Sequence, residues 1–140
     1  MKKKKLNFYD KQFFNIYVGV YQTDVTVAIN MSEKEVLKEA KKIVEPKFYK
    51  LFEERVPGWD EAIKGTILGR TIQIGGGFCV LLTANKTEFR RFVGLVTHEM
   101  FHVTSGLLGK KGMELTPDTD EAYAYLIEHL VGRVLTNCYS

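Results

Sequence analysis

Residues 13–21 form an apolar, aromatic run, and beyond the polar break Gln22-Thr23-Asp24, Val25, Val27 and Ile29 alternate with Thr26 and Ala28. A period of two puts successive side chains on opposite faces of a strand, so the two runs predict a β-hairpin. Ser32 followed by Glu35 is a capping-box signal. After it Val36, Leu37, Ala40, Ile43 and Val44 recur at helical spacing, and Pro46 is expected to stop the helix. Residues 47–64 are less regular; Phe48, Tyr49, Leu51 and Phe52 suit a short helix, and Pro57-Gly58 marks a turn. Ile72 and Ile74 alternate with Thr71 and Gln73, Gly75-Gly76-Gly77 turns the chain, and 78–83 reads as a buried strand. A long helical pattern follows from Thr87 to Leu108, with Gly109 placed as its C-terminal cap. After the loop 110–116, Pro117 suits the first turn of a last helix running to Thr136. The order ββα, an irregular segment, ββα, then α predicts an α+β fold.

Composition narrows the class. At 140 residues the chain fits one domain, and 45% hydrophobic residues make it globular rather than disordered. The net charge of +3 rests on Lys2, Lys3, Lys4 and Lys5, so the remainder is close to neutral. Residues 1–10 are therefore read as a flexible basic tail, with no surface shaped for specific nucleic acid. Asn7, Asp10, Lys11, Gln12 and Asn15 interrupt any apolar run after the lysines, against a signal peptide or a membrane span. The expected location is cytoplasmic. Cys79 and Cys138 are far apart and match neither a zinc ribbon nor a disulfide framework. The triple glycine lacks the spacing of a phosphate loop and precedes a strand, which favours a hairpin turn.

The chemistry concentrates in Thr97-His98-Glu99-Met100-Phe101-His102. On a helix, positions four apart differ by about 40° of rotation and about 6 Å of rise, so the two imidazoles converge on one point. Neutral imidazole nitrogens are good zinc ligands, and Glu99, one position after His98, can accept a proton from a metal-bound water. The apolar stripe Phe89, Phe92, Val93, Val96, Met100 and Val103 runs beside the histidine face. The competing explanation is that two of three histidines fall at this spacing by chance. A catalytic zinc site usually has three protein ligands, and Glu121, near the start of the last helix, is the leading third candidate. Asp120 is the other option, either as ligand or as partner of a zinc-bound imidazole. The bland alternative for Glu121 is a capping box with Asp118. Tyr125, one turn beyond Glu121, is the candidate oxyanion donor, with Tyr123 as the other choice. His129 lies too far along the helix from Glu121 for a ligand of the same metal.

His98-Glu99-Met100-Phe101-His102 followed by Asp120-Glu121-Ala122-Tyr123-Ala124-Tyr125 resembles the gluzincin metallopeptidases, whose pattern is HExxH plus a glutamate on a following helix. The Glu-Ala start and the later aromatic are similar to the ImmA/IrrE group, and the combination to small peptidases of phages and prophages. The resemblance covers residues 87–136. It implies a small zincin-like domain, an antiparallel sheet packed on the HExxH helix and a C-terminal helix. It also implies a Zn2+ site of His98, His102 and Glu121, Glu99 as general base, and a peptide or protein substrate. The strand at 78–83 is expected to pair with an extended peptide. The chain has no room for the second lobe of large gluzincins, so a narrow substrate range is expected. The alternative function is a non-catalytic binding or structural protein whose metal site is structural or vestigial, with Asp118 or Asp120 closing it.

Overall fold

The computed structural model describes residues 7–84 and 87–138. The Lys2–Lys5 segment of the expected tail lies outside these. The chain divides into two compact units, Tyr9–Lys86 and Met1–Phe8 with Thr87–Ser140. Together they make an α+β fold.

In the first unit, strand β1 (Gln12–Val18) pairs antiparallel with β2 (Thr23–Ile29), from Gln12 opposite Ile29 to Val18 opposite Thr23. The reversal lies upstream of the polar break, in a 3-10 turn at Gly19–Tyr21 closed by Gln22 in the left-handed region (φ 49°). Thr23 and Asp24 belong to the strand because cross-strand polar bonds hold them there. The Asn15 amide donates to Asp24 Oδ1 at 2.7 Å, and Thr26 Oγ1 donates to Asn15 Oδ1 at 3.2 Å.

Helix α1 (Glu33–Ile43) begins with the expected capping box: Ser32 Oγ accepts from Glu35 N and Glu35 Oε1 from Ser32 N. Pro46 both ends this helix and starts the next. Val44 and Glu45 are extended, and Pro46 takes an early position in α2 (Pro46–Arg55), where its missing N–H costs nothing. Helix α3 (Trp59–Lys64) has no side-chain cap of its own. Instead Glu33 Oε1 accepts from Gly58 N and Asp60 N, while Asp60 Oδ1 accepts from Glu33 N. The starts of α1 and α3 therefore satisfy each other's orphan donors. Buried Trp59 is fixed by its indole N–H donating to Met31 O at 3.0 Å.

Strands β3 (Gly69–Ile74) and β4 (Gly77–Leu82) form an antiparallel hairpin with Gly75-Gly76 at its tip. The sheet order is β1-β2-β4-β3, and β2 pairs parallel with β4, so the sheet is mixed rather than wholly antiparallel. Gly77 allows that parallel pairing at its end, since a Cβ there would stand 2.6 Å from Asp24 O. Ala28, Ile72, Cys79 and Leu81 on the sheet pack with Val36, Phe52 and Trp59 from the helices. Burial of side chains as large as Phe52 and Trp59 stabilises by about 2 kcal/mol each.

The second unit is built on α4 (Phe89–Lys110) and α5 (Asp120–Asn137), which pack together. Phe92, Val96, Met100 and Val103 of the expected stripe are buried, as are Leu126, Leu130 and Val134 on α5. Gly109 is not the cap of α4. The helix runs on to Lys110, and Gly112 (φ 76°) takes the left-handed position, donating to Gly109 O while Met113 N donates to Leu108 O. This is a Schellman arrangement, and it requires the positive φ at Gly112. Pro117 likewise precedes α5 instead of opening it. Within the stretch read as a tail, Asn7 N donates to Cys138 O at 2.7 Å. Phe8 is buried with its ring 5.3 Å from Phe89 and 5.2 Å from Phe92. Among the described residues no helix is long and apolar enough to cross a membrane.

Candidate metal centre

Val96, Met100 and Val103 anchor one face of α4 in the core, which turns the motif's histidines outward. His98 and His102 are exposed, and their Nε2 atoms stand 3.2 Å apart with the rings 76° from coplanar. Two imidazoles bound tetrahedrally to one zinc at ordinary Zn–N lengths hold their nitrogens about 3.3–3.4 Å apart. The pair is thus spaced as two ligands of one ion. The same separation allows a hydrogen bond between the rings when one carries its proton on Nε2.

Glu99 is enclosed. It is 4% exposed, the only Asp, Glu, Lys or Arg in the buried set among the described residues, and its Oε1 lies 4.0 Å from His98 Nε2. Acidic side chains are seldom buried without a specific partner or task. One turn of helix therefore presents two convergent imidazoles with a sheltered carboxylate alongside.

The last helix is placed differently from the motif. Glu121 and Asp120 are exposed in the first turn of α5, with Asp118 in the turn before it. Among the described residues no group of three or more His, Cys, Asp or Glu side chains is assembled to hold a metal, so Glu121 is not brought into one cluster with the histidine pair. The capping box of Asp118 with Glu121 is also not formed. Thr119 is the N-cap and makes no capping bond, because its hydroxyl accepts from Thr116 N and donates to Glu114 O within the loop. Glu121 is therefore not consumed as a cap, although a first-turn acid still complements the helix dipole.

Of the two tyrosines, Tyr123 is buried and its hydroxyl donates to Met113 O at 2.8 Å, which ties the α4–α5 loop down. Tyr125 is 68% exposed on α5, and His129 is also exposed. One side chain that the motif reading passed over is Phe101, 41% exposed with its ring 6.3 Å from that of His102. Its position off the apolar stripe was the available signal. Burial pushes the Cys79 thiol up to about 12, which keeps it protonated and unreactive as a nucleophile at neutral pH.

The expectation for 78–83 is corrected by the topology. β4 is flanked by β2 and β3, so its backbone has no free edge to receive a peptide; the outer strands are β1 and β3. Comparison with known proteins gives no matching family model, no matching curated protein and no matching solved structure.

Proposed function

We propose that this chain is a zinc-dependent metallopeptidase acting through His98, Glu99 and His102. The observation that carries the reading is the 3.2 Å separation of the two Nε2 atoms beside a buried carboxylate. His98 and His102 would hold the ion, with Glu121 as third ligand. Glu121 is exposed in the first turn of α5 and is not gathered with the pair among the described residues, so this role would require its side chain to be drawn to the ion. Bound zinc would supply Lewis acidity toward the peptide carbonyl and lower the pKa of a coordinated water.

Glu99 performs the proton transfers. Its carboxylate takes a proton as water adds to the carbonyl carbon, and returns it to the amine nitrogen as the C–N bond breaks. Tyr125 is the candidate donor to the developing oxyanion. The substrate is a peptide or protein. Two buried, unbridged cysteines suit a reducing compartment and support a cytoplasmic location.

A second reading, a non-catalytic protein with a vestigial site, is favoured by the ability of the same 3.2 Å to serve as a hydrogen bond. Metal content of untagged protein, measured by elemental mass spectrometry after zinc is offered, separates the two. Near-stoichiometric zinc, lost in His98→Ala and much reduced in Glu121→Ala, supports the peptidase. A metal-free wild type overturns it.

A further inference from the structure

The first unit contains a cavity of about 360 Å³ where the start of β2, the α1–α2 junction and the β3–β4 turn meet. That volume lies within the roughly 300–1,000 Å³ of small-molecule sites. Its walls are aromatic: Phe48 and Phe52 from α2 and Phe78 from β4. Its polar groups include two carboxylates, Asp24 and Glu45, and no Lys, Arg or His is among its lining residues. The Asp24 carboxylate is oriented, because the Asn15 amide donates to its Oδ1.

The rim already receives a cation. Lys47 Nζ lies 5.0 Å from the Phe48 ring centroid and 3.6 Å from Glu45 Oε2, so an aromatic face and a carboxylate together accept an ammonium at this place. Both partners of that ion pair are largely exposed, which leaves it weak and displaceable. Apolar walls with two carboxylates, of which Glu45 alone meets an exposed lysine, favour an organic cation over an organic anion.

We infer that this cavity binds a primary amine carried on an apolar or aromatic stem, a site separate from the histidine pair on α4.

The test is amide NMR titration of the full chain with phenethylamine and, in parallel, with 3-phenylpropionate. Phenethylamine should shift the amides of Thr26, Gly76, Gly77 and Phe48, and the acid should not. Asp24→Asn with Glu45→Gln should weaken the amine by about five- to ten-fold. Phe48→Leu, which removes an aromatic face and keeps apolar bulk, should weaken it by a similar factor while amides far from the cavity stay in place, which shows that the variant is folded. Equal response to amine and acid, response elsewhere only, no response to either, or an undiminished response in the folded variants overturns the assignment.

Discussion

His98 and His102 bring their Nε2 atoms within 3.2 Å of each other across a single turn of α4. Rigid helical geometry sets that approach, so it needs no loop to close and no distant segment to dock. Glu99 shares the turn but not the exposure: it is buried while both histidines face outward. In the proposed reading the arrangement would separate metal binding from proton transfer, so that each could be removed alone.

Glu99→Gln keeps the size and most of the hydrogen-bonding capacity of the side chain and removes only the base. Turnover on a peptide library read by mass spectrometry should fall by about 10²–10⁴-fold, with zinc content and thermal midpoint close to wild type. Retained hydrolysis in a clean preparation would sink the proposed mechanism.

The two tyrosines of α5 should behave oppositely. Tyr123→Phe deletes the bond to Met113 O and should lower stability by about 1 kcal/mol, because that carbonyl loses its partner. Tyr125→Phe should leave stability unchanged in urea unfolding and lower turnover only. Equal stability losses in both variants would contradict these placements.

Adjacent glycines of the β3–β4 turn should also differ. A Cβ at Gly77 would stand 2.6 Å from a backbone oxygen, so Gly77→Ala should cost about 1–3 kcal/mol through forced displacement of β2 or β4. Gly76→Ala meets open space and should cost far less. Chemical denaturation of the two variants side by side decides it.

Glu35 couples the start of α1 to Lys11, the residue before β1. The Lys11 ammonium, 2.7 Å from Glu35 Oε2, is the main reason its carboxyl titrates below the usual 4.5, with the Ser32 backbone N–H next. A depressed folded value means the carboxylate's contribution is complete above 4.5 and is lost as pH falls through the lower folded value. Carboxyl NMR titration should place Glu35 below 4.5 in wild type and return it upward in Lys11→Ala. An unmoved value in that variant would show the ammonium contributes nothing.

What was legible in the sequence was local. The Ser32–Glu35 capping box, the two hairpins and the convergence of His98 with His102 all arise from residues a few positions apart, so spacing alone specifies them. The α+β class followed from the order of such elements. Only the tertiary structure decided the rest. The parallel pairing of β2 with β4 joins Val25–Ile29 to Phe78–Leu82 across a long crossover, and an apolar run does not name its neighbour. That pairing is also what removes the free edge from β4. Gly112 rather than Gly109 caps α4 because the left-handed residue falls where the chain must turn back, which the glycines' identity does not reveal. The Thr119 hydroxyl is taken up by its own loop, so α5 starts after Pro117 and Glu121 is left out of any capping box. Backbone geometry within one turn is fixed by local torsions, whereas partners across the fold are chosen by which burial satisfies the whole chain at once.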